Sequence, residues 1–266
     1  GRLMGSALHR FDARVLQLSD GLDPVFDGAN LVWRSVADVP IESALLLLGE
    51  DAAGRPCFAE LPPTRRTGPP PMNRALWPML AQLGAEEAGL YATARSLIDW
   101  HQRHGFCAAC GGATRPQKGG WARACDGCGA EHFPRVDPVV IMLAVHEGRI
   151  LIGRQPRFPA GQYSALAGFV DPGENLEDAV ARELWEEAGI RVRDVRYVAS
   201  QPWPFPDSLM LAFFADYAGG TITPDPSEIE AADWFSLDAL PTLPDQVSIS
   251  RRLIDAGCRR LAGLER

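Results

Sequence analysis

Three glutamates in one short segment, Glu183, Glu186 and Glu187, are spaced so that they could hold a metal ion together. If the segment is helical, positions i, i+3 and i+4 share one face, and like charges at that spacing repel each other. A divalent cation that prefers oxygen ligands, such as Mg²⁺ or Mn²⁺, would neutralise the repulsion. The alternative is a surface helix with an acidic, solvated face.

The surrounding sequence favours the metal site. Pro172-Gly173 predicts a turn, and Asn175 is a residue type that caps helix N-termini. Apolar residues recur every four positions from Leu176 to Leu184, and Gly189 stands where such a helix would end. A loop, a helix and a stop are therefore predicted over 168–190.

Four of the six cysteines form a second pattern that could bind metal, Cys107-x2-Cys110-x14-Cys125-x2-Cys128. This spacing is typical of a zinc ribbon, in which four thiolates surround one Zn²⁺ and leave no open position, so the zinc is structural. A pair of disulfides is the alternative, and it would require an oxidising compartment. The other two, Cys57 and Cys258, stand alone and are interpreted as ordinary thiols.

The composition restricts the class of protein. The chain has 266 residues, 46% of them hydrophobic, with a net charge of −8. This charge argues against a protein built mainly to grip nucleic acid or an anionic membrane. No apolar run approaches the length of a membrane span, and no signal peptide is recognisable, so a cytoplasmic protein without membrane contact is expected.

Alternating strand and helix patterns predict an α/β architecture. Three domains are expected: an N-terminal α+β domain at 1–104, a zinc ribbon at 105–134, and an α/β domain at 135–266. The predicted strands are 14–18, 29–36, 43–48, 57–60, 139–145, 149–153, 192–199 and 209–217, with helices at 90–101 and 248–261 and a turn at Gly219-Gly220.

A proline-rich segment follows the glutamate segment, Ser200-Gln-Pro-Trp-Pro-Phe-Pro-Asp-Ser208. Its prolines stiffen the backbone and disfavour both a helix and a central strand. It could be a rigid wall that presents aromatic faces and a few hydrogen bonds to a base or sugar. It could equally be a surface loop with its aromatic rings tucked into the core.

Together these motifs carry a family resemblance. From Gly168 to Ile190 the chain fills every position of G-x5-E-x7-R-E-U-x-E-E-x-G-U, where U is aliphatic. This resembles the signature of the Nudix hydrolases, which cleave nucleoside diphosphates linked to another moiety. The segment SQPWPFP-x-S and the zinc ribbon are similar to those of the NADH pyrophosphatase subfamily. The resemblance covers about residues 105–266 and implies a Nudix α/β/α sandwich with a mixed sheet.

The resemblance also implies a set of site residues. The divalent cation would be held by Glu183, Glu186, Glu187, Glu228 and the backbone carbonyl of Ala167. Glu187 is the first candidate for the catalytic base and Glu186 the second, while Arg182 has an orienting role and could hold Glu186 or Glu174. The implied substrate contacts are Phe133, Phe169, Gln201, Pro202, Trp203, Pro204, Phe205, Pro206, Asp207, Ser208 and Ser250.

The function implied is hydrolysis of NAD(H) to NMN(H) and AMP, together with removal of NAD caps from RNA 5′ ends. The expected active form is a homodimer with shared sites, because Phe133 aligns with a residue that enters the partner's site. Three alternatives stay open: a Nudix pyrophosphatase for another dinucleotide such as ADP-ribose, RNA decapping as the main role, and a non-enzymatic nucleotide sensor. A sensor would be expected to lose glutamates of the signature, and none is lost here.

Overall fold

The computed structural model describes residues 12–19, 22–63, 68 and 73–264. Its contacts divide the chain into two compact units. The first comprises the residues up to Val136 together with the segment Pro202–Asp207, and the second comprises Asp137–Gln201 and the chain from Ser208 onwards. The division into three domains stays a prediction.

Within the part of the chain that the structure describes, no helix combines the length and the apolar character needed to cross a membrane.

The described residues of the first unit form short strands and two α-helices. The strands are β1 (Arg14–Leu16), β2 (Phe26–Asp27), β3 (Asn30–Leu31), β4 (Trp33–Ser35), β5 (Leu45–Glu50), β6 (Pro56–Glu60), β7 (Thr114–Gln117), β8 (Ala122–Cys125) and β9 (Glu131–His132). The helices are α1 (Trp77–Leu80) and α2 (Ala85–Arg103), and 3₁₀ turns lie at Val36–Asp38, Arg74–Leu76 and Lys118–Gly120.

Helix α2 supports a four-stranded sheet in this unit. The sheet has the order β4-β1-β6-β5, with β1 parallel to β6 and antiparallel to β4. Leu90, Ala94 and Leu97 lie on one face of α2 and belong to a buried cluster with Leu46 and Cys57 of the sheet. The helix predicted at 90–101 is confirmed, and so is the α+β character of this region. Strands β7, β8 and β9 form a separate antiparallel sheet that carries the cysteines.

The second unit consists of one sheet and two α-helices. Its strands are β10 (Asp137–His146), β11 (Arg149–Arg154), β12 (Leu166–Phe169), β13 (Ile190–Trp203), β14 (Ser208–Gly220) and β15 (Ala231–Ser236). Its helices are α3 (Leu176–Ala188) and α4 (Ile249–Leu261).

The sheet is mixed and lies between the two helices. Its order is β13-β14-β10-β11-β15, and β12 also pairs with β10. Strand β10 runs parallel to β14 and antiparallel to β11 and β12. Because side chains alternate along a strand, Val140 and Met142 of β10 pack with α3, whereas Ile141 and Leu143 pack with α4. The predicted α/β/α sandwich is confirmed.

Two local predictions were wrong. The strand expected at 29–36 is broken into β3 and β4, and a 3₁₀ turn begins at Val36. The turn expected at Gly219-Gly220 is instead the end of β14. Gly220 is needed for two reasons: its φ is 102°, and a Cβ there would lie 2.5 Å from the carbonyl oxygen of Gly189.

Candidate active site

Helix α3 begins and ends at the residues that the sequence indicates. Asn175 is its N-cap and accepts a hydrogen bond from the backbone N–H of Asp178 at 2.8 Å. Gly189 is its C-cap, with a left-handed φ of 70°. The helix thereby presents the predicted glutamates over the Leu166–Phe169 strand, to which α3 packs.

Arg182 holds the carboxylates on this face together. Its guanidinium lies 2.8 Å from Glu183 Oε1 and 2.9 Å from Glu186 Oε2. It also donates to Glu174 at 2.5 Å and to the Phe169 carbonyl at 2.9 Å. The hydrogen bonds from Arg182 lower the pKa of Glu174, and the carboxylates in turn raise the pKa of Arg182. Arg182 therefore pairs with Glu186 and also with Glu174, the two partners that the sequence offered as alternatives.

Two of the three glutamates that the signature places on α3 are buried. Glu183 is 8% exposed and Glu187 is 3% exposed, whereas Glu186 is exposed to solvent. The carboxylate of Glu183 lies against the backbone of Gly168, where a Cβ would come within 1.8 Å of its Cδ. Only glycine can stand at that position with Glu183 in place.

Burial and mutual repulsion make the buried pair easy to protonate. Burial raises the pKa of Glu183. Burial, and then the charges of Glu183 and Glu228, raise the pKa of Glu187 to about 8, while a hydrogen bond from the Ala167 backbone opposes the rise. The carboxylates of Glu183, Glu187 and Glu228 therefore lie close enough to repel one another, and the single positive charge of Arg182 does not neutralise all three.

Glu228 comes close to Glu183 and Glu187 from a distant part of the sequence. It lies in an exposed turn, where its N–H donates to the Asp225 carbonyl at 3.1 Å. The N–H of Asp225 donates to the carbonyl of Glu187 at 3.1 Å, so the turn is tied to the end of α3. The structure therefore brings Glu228 near Glu183 and Glu187, as the sequence interpretation requires.

This arrangement fits an oxygen-preferring divalent cation. Glu187 Oε2 is buried and has no hydrogen-bond partner among the described residues. A cation beside this atom would pair with it and with the two neighbouring carboxylates. The donor set consists of hard oxygen atoms, which suit Mg²⁺-like ions rather than zinc.

The four ribbon cysteines converge as the spacing predicts. Their sulfur atoms all lie within 4.8 Å of one another, with Cys107–Cys128 at 3.7 Å and Cys110–Cys125 at 3.4 Å. Tetrahedral coordination with Zn–S bonds of about 2.3 Å requires sulfur separations of this size. Backbone N–H groups of Cys110 and Ala109 lower the pKa of Cys107 to about 6, which favours the thiolate that binds metal. The group fits a closed structural zinc site.

A cavity of about 280 Å³ opens in the second unit beside the glutamates. Its lining includes Ala167, Phe169, Glu187, Ser208 and Ser250. A mainly apolar hollow with a few convergent polar groups is typical of a small-molecule site.

Family models match both motif regions of the chain. A NUDIX domain model matches residues 134–256, and a model described as NADH pyrophosphatase zinc ribbon domain matches residues 102–133.

Curated relatives match almost the whole chain. A Chromobacterium violaceum protein named NAD-capped RNA hydrolase NudC is 39% identical over 247 residues, which cover 91% of this chain and 93% of that protein. A Deinococcus radiodurans protein with the same name is 46% identical over 255 residues, covering 92% and 90%. The chain belongs to the Nudix hydrolases, in the branch with an NADH pyrophosphatase zinc ribbon.

A solved Nudix structure agrees with this assignment at the level of the fold. A NUDIX hydrolase from Nitrosomonas europaea superposes with a TM-score of 0.50 at 24% identity, covering 59% of this chain and 90% of that one.

Four of the predicted substrate residues of this Nudix hydrolase lie in the second unit. Phe169 is 59% exposed at the cavity, and Ser208 and Ser250 line it. Ser250 is 3% exposed and shares a 2.7 Å hydrogen bond with Ser164. The amide of Gln201 donates to the Val247 carbonyl at 2.8 Å and accepts from the N–H of Ile249 at 2.7 Å. Gln201 therefore holds the start of α4, a role that its sequence position does not reveal.

The other predicted substrate residues lie in the first unit. Phe133 is 58% exposed, and the ammonium of Lys118 lies 5.1 Å from its ring centroid. In the proline-aromatic segment, Trp203 packs edge to face on Phe205 at 5.1 Å and on Trp77 at 5.8 Å. Pro204 and Asp207 are buried, whereas Pro202 is exposed and Pro206 is half-buried. The aromatic rings are thus partly packed against protein and partly exposed. This lies between the two alternatives that the sequence left open, a wall that presents its rings to a ligand and a loop whose rings are tucked into the core.

Two arginines of α2 hold this segment, and the sequence gives no local signal for either. Buried Arg95 donates to the Pro204 carbonyl at 3.0 Å, and its guanidinium lies 4.7 Å from the Phe205 ring centroid. Arg103 donates to Asp207 at 2.8 Å. Because more than one hundred residues separate these partners, local pattern alone cannot predict the contacts.

The basic side chains near the ribbon are largely paired with acids. Arg115 lies 2.6 Å from Asp126, and Lys118 lies 2.8 Å from Glu131. These pairs reduce the positive charge that a phosphate backbone would meet.

Proposed function

We propose that this Nudix hydrolase cleaves the diphosphate bond of NAD(H), giving NMN(H) and AMP, with Mg²⁺ or Mn²⁺ as its cation. We also propose that it removes NAD caps from RNA 5′ ends. Relatives named NAD-capped RNA hydrolase support the choice of substrate, since they match over nine tenths of the chain.

One observation carries the chemical part of this proposal. Glu187 is buried, its Oε2 has no partner among the described residues, and the charges of Glu183 and Glu228 raise its pKa. A solvated acidic helix face would have no such group. Buried carboxylates with raised pKa values cluster at functional sites.

The cation would be held by Glu183, Glu187 and Glu228, with Glu186 and the Ala167 carbonyl as the remaining proposed ligands. When bound there, a divalent cation supplies charge neutralisation at the diphosphate and lowers the pKa of a water molecule.

Within the reaction, Glu187 is the first candidate to accept a proton. The water oxygen attacks a phosphorus atom, the bond from that phosphorus to the bridging oxygen breaks, and the second nucleotide leaves with that oxygen as its phosphate, while the proton from water passes to the Glu187 carboxylate. Glu186, the second candidate, is exposed and already paired with Arg182, and both features support the ranking. Arg182 orients the carboxylates and holds Glu174.

Substrate binding involves both aromatic and polar groups in this proposal. Phe169 stacks on a base at the cavity, and Ser208 and Ser250 contact the substrate. The segment 202–207 and Gln201 complete that set. Phe133 contributes from a partner subunit in a homodimer, and its 58% exposed ring supports that role because a ring in one subunit's core would be covered.

Product chromatography tests this function. The purified protein is incubated with NADH and Mg²⁺ or Mn²⁺, and NMNH and AMP are expected in equal amounts. ADP-ribose and NAD-capped RNA are run in parallel, so the three rates rank the candidate substrates. Intact NADH after long incubation with either metal would overturn the assignment.

A further inference from the structure

Gln155 lies in the wall of the cavity of about 280 Å³ in the second unit, and the oxygen of its side-chain amide is unpaired among the described residues. Its Oε1 is shielded from solvent and has no hydrogen-bond partner among the described residues. A buried acceptor left unpaired costs roughly 1–3 kcal/mol, so its presence in a native fold requires a reason. No residue of the family signature accounts for it.

The backbone around Gln155 is firmly held, so the unpaired amide does not come from a loose loop. The Gln155 carbonyl accepts from the N–H of Phe158 at 3.0 Å. Arg154 donates to the carbonyls of Phe158 at 3.3 Å and Pro159 at 3.4 Å. Gly153 and Ser164 close the loop with backbone hydrogen bonds of 3.0 and 2.8 Å.

Two serines of the wall, Ser248 and Ser250, already make hydrogen bonds within the protein. Ser250 Oγ shares a hydrogen bond with Ser164 and accepts from the N–H of Ala165 at 3.1 Å. Ser248 Oγ accepts from the N–H of Ser250 at 3.2 Å. These serines therefore leave the Gln155 Oε1 acceptor unpaired at the wall of the cavity.

The chemistry of an amide indicates its ligand. A glutamine side chain presents a donor beside an acceptor, and its terminal torsion is broad, so both can turn toward one flat group. That edge is complementary to an exocyclic amide or to the N6/N7 edge of adenine. A cavity of this volume lies at the small end of ligand sites and holds one base rather than a whole dinucleotide.

We infer that Gln155 is a specificity-determining residue that hydrogen-bonds the exocyclic nitrogen of the base seated in this cavity. The inference rests on the proposed function, because it takes the ligand to be one half of NAD(H). Both halves carry the required group: the carboxamide of nicotinamide and the amino group of adenine.

Two substrate analogues separate these sources. In 3-acetylpyridine adenine dinucleotide a methyl group replaces the carboxamide nitrogen, and in nicotinamide hypoxanthine dinucleotide an oxygen replaces the adenine amino group. The ratio of kcat/KM for NAD⁺ to that for each analogue is measured in the wild type, in Gln155→Met and in Gln155→Leu. Gln162→Met is the matched control, because Gln162 lies in the same loop but outside the cavity lining.

The wild type is expected to prefer NAD⁺ over one analogue by about tenfold, and both Gln155 variants should lose that preference. Comparing these ratios between wild type and variant isolates the hydrogen bond of Gln155 from any general loss of activity, since a ratio of kcat/KM values is unchanged when a fraction of the protein is unfolded. Lost preference for the acetylpyridine or for the hypoxanthine analogue supports the inference and names the base.

Wild-type ratios retained in both Gln155 variants would overturn the inference and assign the amide to water alone. Failure of the proposed function looks different, because the wild-type enzyme would then leave NAD⁺ itself uncleaved.

Discussion

At the scale of single residues, Arg182 and Glu187 have different roles on the acidic face of α3. Arg182 touches Glu174, Glu183 and Glu186, whereas Glu187 is left buried with an open oxygen. The arginine holds its three carboxylates in place, and the carboxylate with an unpaired oxygen, Glu187, is the one we propose for the chemistry. The two adjacent glutamates thus differ in burial, in hydrogen bonding and in the charges around them.

Glu187→Gln is expected to reduce turnover by roughly 10²–10⁴-fold, the range for loss of a general base. The fold should survive, because the substitution keeps the side chain's size and removes a repulsive charge. Steady-state kinetics with saturating Mg²⁺ provides the measurement. Glu177→Gln on the exposed side of the same helix is the control and should leave turnover unchanged. Near-normal turnover in Glu187→Gln would place the catalytic base elsewhere.

His101 shows a second effect of burial on a single residue. Its Nε2 lies 2.8 Å from the Gly120 carbonyl and its Nδ1 lies 2.8 Å from Arg123, so Nε2 donates and Nδ1 accepts. Burial, and then the charges of Arg123 and His104, lower the pKa of His101 from 6.5 to about 4. Since the unfolded chain takes up the proton first as pH falls, stability is lost between pH 6.5 and 4.

Replacing His101 by glutamine should flatten this part of the stability profile. An amide can donate to Gly120 and accept from Arg123 without titrating. At about 1.4 kcal/mol per unit, His101 should account for about 2 kcal/mol of the stability lost between pH 7 and pH 5. Urea unfolding of both proteins at the two pH values gives the difference directly. Equal pH dependence in wild type and variant would show that His101 is not buried in its neutral form.

At the scale of elements, the contact between α3 and β12 sets how closely the carboxylates approach the sheet. Gly168 of β12 is the point of contact, since any Cβ there would overlap the Glu183 carboxylate. Glycine is thus required at this position by the Glu183 side chain of the neighbouring helix α3 and not by the backbone conformation of β12.

Gly168→Ala should therefore displace Glu183, with activity falling at least tenfold while the protein remains folded. The flexible end of a glutamate can move at modest cost, which is why the chemistry should suffer more than the stability. The measurements are the Mg²⁺ concentration needed for half-maximal activity and the thermal midpoint. Gly89→Ala in α2, where a Cβ meets no atom within 4 Å, is the matched control. Unaltered metal dependence in Gly168→Ala would mean that Glu183 does not hold the cation.

The zinc ribbon is a small element that depends on its metal. Strands β7, β8 and β9 are each at most four residues long, too short to be stable without the four sulfur ligands. The four sulfur atoms lie within 4.8 Å of one another, so an ion held between them would support the fold.

Cys107→Ser should lower zinc content and thermal stability but leave the turnover of the folded fraction nearly unchanged. Elemental analysis of the wild type should give one zinc per chain. Cys258→Ser, outside the ribbon, is the control and should keep its zinc. A folded, active wild-type sample that contains no zinc would contradict the role assigned to this element.

The sequence could predict these elements where the signal is local. Asn175, Gly189 and the four ribbon cysteines lie within a few residues of what they cap or bind, and each acts as its type suggests. The contacts of Arg95 with Pro204 and of Gly168 with Glu183 depend on how elements pack, so composition and spacing do not contain them. For the same reason the sequence could place Glu186 and Glu187 on one face but not tell which would be buried.

At the scale of the whole molecule, exposed aromatic residues suggest how two copies would cooperate. Phe106, Phe133 and Val136 of the first unit are 61%, 58% and 63% exposed. Exposed apolar side chains of this size are available for contact with a second subunit. In the proposed homodimer Phe133 completes the partner's site, so a base is stacked between Phe169 of one chain and Phe133 of the other.

Phe133→Ala tests this shared site. Base–aromatic stacking is worth about 1–3 kcal/mol, so KM should rise roughly tenfold to a hundredfold with little change in kcat. A Phe133 that served only its own subunit's packing would instead cost stability and leave KM unchanged in the protein that remains folded.

Mixing the inactive Glu187→Gln chain with Phe133→Ala separates these two readings. In a hybrid dimer with shared sites, one site carries both defects and the other carries neither. At equal mixing and free exchange, half of the dimers are hybrids with one intact site of two, so about a quarter of wild-type activity should return at low substrate concentration. Mass spectrometry of isotope-labelled chains verifies that subunits have exchanged. No recovery after proven exchange, or full activity in a monomer, would show that each chain builds its site alone.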